Sequence, residues 1–358
     1  MNTSSRPYHT TWKQTWRDDS GSLSTSFKDD ISVWLINLLR MYPLPANGDT
    51  VRITQAAIQR HPKVPRLRKR DGNRWMFPRS VAPIALHWLY CKLTGSESAG
   101  TPFLVFIWYF LWFMIIGTDA VRMWHQLGQE YGYLDGQKKR QGVPDDSTHK
   151  IFVSLIGTAL GRSGLVTLCS YSPDALPRLD CTLLIQLAMY PIILDFWFYL
   201  YHRALHEVPR LWKFHRTHHM TKHPNTLLTL FADAEQEIAD VFFWPVLAYY
   251  TMRLFPMLSM SFYHWWICSI YQAVIELGGH SGVRIFAGTF TAGFGLLGPL
   301  GLDLVIEDHD LHHRKGYKRS GNYGKQTLVW DSLFGSRVPR EECVDKNVDL
   351  NEAVQMPW

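Results

Sequence analysis

Long apolar runs with few or no charged residues constrain the fold of this chain more than any other feature. Residues 102–117 contain no charged side chain. The run 181–201 contains only Asp195, and 151–171 contains a single arginine. A helix that crosses a lipid bilayer needs about twenty mostly apolar residues. Because a soluble protein rarely needs several such runs, we interpret the chain as an integral membrane protein and not as one with buried core helices.

These runs predict an all-α fold with about four transmembrane helices and a cytosolic helical head. The stretch 241–279 is long enough for a hairpin of two passes, since Arg253 and Pro256 interrupt it. Segment 151–171 is a weaker fifth candidate, because its three glycines lower its helix propensity. The four predicted passes are residues 102–124, 181–201, 241–258 and 259–279.

Eight of the sixteen histidines fall into three clusters whose spacing suits metal binding. Side chains at positions i, i+3 and i+4 lie on one face of a helix, so each cluster can direct two or three imidazoles to one point. Imidazole suits zinc, copper, iron and nickel, and eight rings are too many for one ion. The spacing therefore predicts a two-metal site. The clusters are His202 and His206; His215, His218 and His219; and His309, His312 and His313.

Each histidine cluster lies close to an apolar run but outside it. The run 181–201 continues directly into His202, and Pro209 can occupy the first turn of a new helix that carries the second cluster. The third cluster follows the glycine-rich segment 288–301. This arrangement predicts a metal centre at the membrane surface, which an apolar substrate could reach from the lipid.

The composition disfavours several other classes of protein. The five cysteines show no CxxC spacing and none lies near the histidine clusters, which disfavours a disulfide scaffold and a thiolate metal site. A formal net charge of +6 over 358 residues gives no case for a nucleic-acid partner. Basic residues flank the histidine clusters, and positive charge beside membrane segments favours the cytosolic side.

The first hundred residues differ in composition from the rest. Residues 1–30 are polar and lack the apolar stretch of a signal peptide, and residues 60–74 are strongly basic. We therefore divide the chain into three parts. These are an N-terminal extension of unknown role, 1–100, a membrane-embedded domain, 101–345, and a C-terminal tail, 346–358.

The histidine clusters and their surroundings resemble the fatty acid hydroxylase superfamily, also called the sterol desaturase family. Residues 195–219 contain the first two clusters in the family's pattern. The third cluster is followed by Gly-Asn-Tyr-Gly at 321–324 and by Trp-Asp-Ser-Leu-Phe-Gly at 330–335, which are similar to the family's closing signature. The resemblance covers residues 185–338.

The resemblance implies an endoplasmic-reticulum membrane enzyme with two irons held by histidines. Gly279-His280-Ser281-Gly282 is similar to an isolated histidine of the family and supplies a ninth ligand. His223, near the second cluster, is a possible additional ligand. The implied ligands are His202, His206, His215, His218, His219, His280, His309, His312 and His313.

Metal-ligating histidines usually hydrogen-bond a carboxylate or a carbonyl through their second ring nitrogen. Asp195 is the first candidate for such a partner, because a carboxylate inside an apolar span is costly and marks function. Glu235 lies in the altered counterpart of the family's His-Pro-x-Glu element and is the second candidate. Asp308, beside the third cluster, is the last, whereas Asp310 is expected to be a solvated surface charge.

The family resemblance implies O₂-dependent oxidation of an unactivated C–H bond in a lipid-like substrate, such as a sterol, a sphingoid base or a fatty acyl chain. We favour hydroxylation, with desaturation on the same centre as the alternative. We expect an external electron donor such as cytochrome b5 or a pterin, since no His-Pro-Gly-Gly haem-domain stretch occurs. A metal transporter and a non-catalytic lipid-binding protein are the alternatives from other classes. A transporter would place its ligands near the bilayer midplane.

Overall fold

The computed structural model describes residues 47–142, 148–317 and 320–358. The described residues are mostly helical, as predicted. Long helices are α1 (Asn47–Arg60), α2 (Lys69–Thr94), α3 (Pro102–Tyr131), α4 (Thr148–Ser170), α5 (Thr182–Glu207) and α8 (Phe262–Ser281). Shorter helices are α6 (Ala234–Ile238), α7 (Trp244–Arg253), α9 (Ile306–Lys315) and α10 (Val329–Leu333). Single turns of 3₁₀ helix lie at Trp212–Phe214, His218–Met220, Thr226–Leu230, Pro256–Leu258 and Ala292–Gly295, and a π-helical turn spans Ala239–Phe243.

Among the described residues, three helices are long and apolar enough to cross a membrane. They are Pro102–Tyr131, Lys150–Ser170 and Thr182–Glu207. Two of them coincide with predicted passes 102–124 and 181–201. The third is the segment 151–171 that we expected to be the weakest candidate. Its glycines do not break the helix. Gly161 allows the segment that carries Val241 to pack closely, since a Cβ at Gly161 would lie 2.5 Å from a Val241 methyl group.

The predicted pass at 241–258 is not among the candidate membrane-spanning helices of the described residues. Its residues form a π-helical turn and then the ten-residue helix α7, which ends before Pro256. Together with α6 they make a continuous helical stretch over residues 234–253, which begins before the predicted pass and ends before Pro256. Hydropathy alone did not reveal the π-helical turn within this stretch.

The predicted pass at 259–279 corresponds to α8, which is a buried core helix. Of its 20 residues, 17 are buried against other parts of the chain. Its indole and carbonyl groups bond to neighbouring helices: Trp266 donates to the Ser80 carbonyl of α2, and Trp124 of α3 donates to the Val274 carbonyl. Helix α8 is not among the three candidate spans of the described residues, because its polar residues lower its mean hydropathy.

The described part of the predicted N-terminal extension packs closely on the rest of the chain. Strand β1 (Val64–Arg66) pairs in parallel with β2 (Val348–Ala353) from the predicted tail, a small departure from the all-α prediction. The Tyr271 hydroxyl of α8 donates to Asn73 of α2. Residues 1–46, which include the polar segment 1–30, residues 143–147, and Lys318 and Arg319 near the third cluster lie outside the described residues.

Candidate metal centre

Four parts of the chain deliver the nine predicted histidines to one place. Helix α5 carries His202 and His206 in its last turns, α8 ends with His280, and α9 carries the third cluster. The second cluster lies on turns and a 3₁₀ segment, not on the helix that we predicted after Pro209. All nine rings are buried.

The nine rings form two groups that could each hold a metal ion, with the ligand atoms of each group within 4.8 Å of one another. The second cluster contributes its i, i+4 pair to one group and its middle histidine to the other. In the third cluster, by contrast, the middle histidine belongs to the former group and the two outer histidines belong to the latter. The five-histidine group is His202, His206, His215, His219 and His312. The four-histidine group is His218, His280, His309 and His313.

Neighbouring imidazole nitrogens in these groups are close enough to share an ion. The Nε2 atoms of His202 and His215 are 2.8 Å apart, and those of His218 and His280 are 3.0 Å apart. His309 Nε2 lies 3.0 Å from His280 Nε2. Metal–nitrogen bonds of about 2.1 Å that meet at right angles place two nitrogens about 3 Å apart. The spacing therefore fits ligands arranged around a common ion.

Backbone carbonyl groups fix the orientation and the tautomer of six of the nine rings. Each of these rings donates its Nδ1 hydrogen to a carbonyl oxygen, so a neutral ring has a bare lone pair on Nε2. The Tyr323 carbonyl accepts from His202 at 2.7 Å, and the Glu276 carbonyl accepts from His280 at 2.9 Å. The six rings are His202, His206, His218, His280, His312 and His313.

Lone pairs that face each other require a cation between them. His218 and His280 both donate through Nδ1, yet their Nε2 atoms point at each other across 3.0 Å. A proton shared between the rings would require one imidazolium. Burial opposes this by lowering the pKa of His218 to about 4 and that of His280 well below its usual value. Neutral nitrogen donors in this arrangement fit a divalent metal such as iron.

Burial has the same effect on the other candidate ligands outside the membrane-spanning helices. It removes water from the rings and disfavours the charged form, and the neighbouring rings add to the effect. Metal binding needs neutral imidazole, so the site holds its donors in the required state. The pKa falls well below its usual value for His215, His219, His309, His312 and His313.

His223 is absent from both histidine groups. Its Nε2 atom hydrogen-bonds Asp135 Oδ2 at 2.8 Å, and its backbone N–H donates to the Gln141 side chain. The ring therefore joins the second cluster to the loop after α3. The structure gives His223 this connecting position instead of the ligand position considered from its place in the sequence.

Asp195 is fully buried, but its oxygens bind backbone and not imidazole. They accept the N–H groups of Lys325, Gln326 and Thr327, and the Thr327 hydroxyl. These bonds anchor the turn that follows Tyr323, whose carbonyl accepts from His202. We expected Asp195 to hydrogen-bond a histidine ring directly. It instead holds this turn in place and so supports the five-histidine group indirectly.

The side-chain partner of the second cluster is Gln236, not Glu235. Glu235 is exposed, whereas Gln236 is buried and its Oε1 atom lies 2.9 Å from His215 Nδ1. Asp308 also differs from expectation: it accepts the Val305 N–H at the start of α9 and pairs with Arg340, so it supports the helix and not a ring.

A buried ion pair that the sequence did not suggest joins two histidine-bearing helices. Arg140 contacts Asp310 of α9 at 2.5 Å and donates to the Gly282 carbonyl at the end of α8. Gly282 has a φ of 60°, and a Cβ there would lie 2.2 Å from the guanidinium carbon, so only glycine fits. Asp310 is 1% exposed, which corrects our expectation of a solvated charge.

A small cavity of about 50 Å³ lies beside both histidine groups. Rings from each group form one side, and Gln236, Asp240, Glu276 and Lys325 lie among the remaining lining residues. The chain thus presents two sets of buried, neutral nitrogen donors next to a space that can admit a small part of a substrate. This arrangement can hold two metal ions at a common reaction chamber.

Comparison with known proteins identifies related hydroxylases. The family model described as fatty acid hydroxylase matches residues 187–336. A fatty acid hydroxylase from a Lecanicillium species is 40% identical over 308 residues, which cover 82% of this chain and 84% of that protein. No solved structure matches the chain.

Other hydroxylases and monooxygenases are similar to the chain at lower identity or over a shorter part of it. The ornithine lipid hydroxylase of Rhizobium tropici is 24% identical over 260 residues, covering 66% of this chain and 70% of that one. The alkylglycerol monooxygenase of Homo sapiens is 30% identical over 152 residues, covering 42% of this chain but only 30% of its own length.

Proposed function

The chain belongs to the fatty acid hydroxylase family, and from this premise we propose that it hydroxylates an unactivated C–H bond of a lipid-like substrate. The reaction combines the substrate, O₂, two electrons and two protons, and releases the alcohol and water. Two irons bound by the two histidine groups would supply the O₂ and redox chemistry. An external donor, such as cytochrome b5 or a pterin, would supply the electrons.

The observation that carries this proposal is the pair of buried histidine groups beside one cavity. A structural metal site would be closed and would need one ion. Here rings from both groups, His202 and His218 among them, line one common cavity. The relatives, which include a lipid hydroxylase and monooxygenases, favour hydroxylation over desaturation.

The residues of the chain orient the histidine rings and exclude water from the site. The carbonyls of Tyr323, Gly321 and Thr221 hold His202, His312 and His313 with their Nε2 atoms directed inward. The apolar packing of α5 and α8 keeps bulk water from the rings, as their burial shows. A substrate C–H bond in the cavity would therefore meet the bound metals without competing solvent.

The three apolar helices support a membrane location, and we place the protein in the endoplasmic reticulum with its histidine groups towards the cytosol. Basic residues in the histidine-bearing regions, such as Arg203 and Arg216, support this orientation. The same placement would give a soluble reductase access to the head and would give a lipid access through the bilayer.

An isotope experiment tests the proposed reaction. Microsomes that contain the full chain are supplied with NAD(P)H and ¹⁸O₂, and their lipid extracts are compared with those of a His309→Ala variant. We expect a hydroxylated product that carries one ¹⁸O atom in the wild type and is missing from the variant. A product whose oxygen comes from water, or equal yield from the variant, would contradict the proposal. Parallel reactions with a tetrahydropterin identify the donor.

A further inference from the structure

The five-histidine group has an aromatic neighbour that reaches the protein surface. The centroid of the Trp212 indole lies 5.2 Å from that of the His206 ring and 5.6 Å from that of the His219 ring. Trp212 is partly exposed, whereas all nine candidate histidine ligands are buried. The indole therefore contacts both the candidate ligands and the solvent.

A second oxidisable ring is stacked on this indole. The centroid of the Tyr317 ring lies 4.2 Å from that of Trp212, with an angle of 29° between the ring planes. The Tyr317 carbonyl also accepts the Nδ1 hydrogen of His206 at 2.8 Å. Like Trp212, Tyr317 is partly exposed. The two rings, which we call the Trp212–Tyr317 pair, thus form a short path between a candidate ligand and the solvent.

The other aromatic neighbours of the histidines form no comparable path among the described residues. Tyr323 contacts His206, but it is 4% exposed, and its tyrosine neighbour Tyr199 is 1% exposed. Phe198 contacts His202, but a phenyl ring is much harder to oxidise than an indole or a phenol. The described ring contacts of the four-histidine group are all with other histidines. The oxidisable path to the surface therefore starts at the five-histidine group.

A path of this kind matters for an enzyme that attacks unactivated C–H bonds. An oxidant that removes hydrogen from such a bond is also strong enough to oxidise a phenol, because a phenol O–H bond is weaker than an alkane C–H bond. When no substrate is in place, the same oxidant attacks the nearest side chains, and these are the metal ligands. A pair of rings that brings electrons from the surface would spare the ligands.

We propose that the Trp212–Tyr317 pair returns electrons to the oxidised metal centre when no substrate is in place, and so protects the histidine ligands. This inference rests on the proposed function and adds a protective reaction to the same centre. Trp212 gives one electron to the centre and releases its indole proton to solvent. Tyr317 then gives one electron and its phenol proton to the indole. A soluble reductant, such as ascorbate or a thiol, restores Tyr317 with one electron and one proton. Two such passes remove two oxidising equivalents.

Radical detection tests the pair without lipid oxidation. The full chain, loaded with iron in detergent micelles, receives hydrogen peroxide in place of O₂ and an electron donor, and no lipid substrate is added. Hydrogen peroxide supplies two oxidising equivalents directly. Samples are frozen at successive times and measured by electron paramagnetic resonance. We expect a tyrosyl radical that forms while peroxide is consumed and that disappears when ascorbate is added.

Two variants separate electron transfer from simple packing. Tyr317→Phe keeps the stacked ring but lacks the phenol O–H group, so we expect loss of the tyrosyl radical and oxygenation of Trp212, which peptide mass spectrometry detects. Trp212→Phe interrupts the path, so both signals should be lost and oxidation of His206 should increase. A packing role alone would not move the oxidation from one ring to the other.

Trp244→Phe is the matched control. Trp244 is also partly exposed and also packs against a tyrosine, Tyr201, with ring centroids 4.6 Å apart. Among the described residues, neither ring of this second pair has a ring contact with a histidine. The variant should therefore keep the wild-type radical. The radical yield is expressed per bound iron, which removes any difference in metal content between the proteins.

The inference is overturned if the wild type consumes peroxide without forming a tyrosyl radical, or if Trp212→Phe keeps the wild-type radical yield. A Tyr317→Phe variant without oxygenated Trp212 also overturns it. The two proposals fail separately. A radical without ¹⁸O-labelled lipid in the isotope experiment contradicts the hydroxylase, whereas labelled lipid without a radical contradicts only the protective role of the pair.

Discussion

The two histidine groups differ in how many ligands they have and in which helices supply them. The five-histidine group takes two rings from α5 and only one from α9, whereas the four-histidine group takes two from α9 and one from α8. The second cluster serves both. Loss of one ring leaves four donors in the first group but only three in the second. We therefore expect the loss of one histidine to weaken metal binding more in the four-histidine group than in the five-histidine group.

The supports of the two groups also differ. Asp195 of α5 anchors the turn next to the five-histidine group, and the Arg140–Asp310 pair fastens α8 to α9 around the four-histidine group. Helices α5 and α9 thus each carry candidate ligands together with a carboxylate that helps to hold those ligands in position. We expect a change at one support to affect mainly the group it serves.

Metal removal should have the largest effect, because it acts on both groups at once. Without ions, lone pairs such as those of His218 and His280 face each other at about 3 Å. We expect a strong chelator to lower the midpoint of thermal unfolding by about 10 °C or more, since two tightly bound ions contribute about 5 kcal/mol or more of stability. Calorimetry before and after dialysis measures the shift. An unchanged midpoint in metal-free protein would show that the rings pack stably alone.

Single-histidine variants should show the difference between the groups directly. His280→Ala leaves three ligands, and we expect it to retain about one ion per chain and to lose turnover by about a hundredfold or more, since changes even to the partners of ligands cost ten- to a hundredfold. His206→Ala leaves four ligands and should retain close to two ions. Metal analysis by mass spectrometry compares the two variants. Equal loss from both would remove the asymmetry that we infer from the ligand count.

Asp195→Asn should weaken the five-histidine group selectively. The amide replaces one acceptor oxygen by a donor, so at least one N–H of the turn 325–327 loses its partner. We expect the free energy of unfolding to fall by about 2 kcal/mol, the typical cost of a buried unsatisfied donor. Chemical denaturation measures this, and stepwise chelation of the variant should release one ion earlier. Simultaneous release of both ions would show that the support is shared.

His223→Ala should have the smallest effect, because the ring lies outside both groups. It loses the hydrogen bond to Asp135, which we expect to cost about 1 kcal/mol of stability. Metal content should stay at the wild-type value. A variant with one ion fewer per chain would instead make His223 a ligand.

The sequence was most informative about the residues that share local spacing. The spacing in the three clusters, together with the family resemblance for His280, selected nine rings that the structure gathers into two groups. It did not show that each H-x-x-H-H cluster is divided between the groups, because that depends on how α9 and the second cluster face each other.

The errors have a common physical origin in tertiary contacts. The run 259–279 was predicted as a pass, but α8 is not among the three candidate spans, and 17 of its 20 residues are buried against other parts of the chain. Glu276 and Lys325 are 49 residues apart and meet only because α8 and the turn after α9 lie together. Gln236 replaces Glu235 because a shift of one residue decides which side chain faces His215.

The number of iron ions bound per chain tests the central claim most directly. The full chain, purified from iron-replete cells in mild detergent, is measured by mass spectrometry for iron and by amino-acid analysis for protein. We expect two irons per chain, one for each histidine group. A value of one iron or none in folded protein would contradict the two-metal centre and the hydroxylase proposed from it.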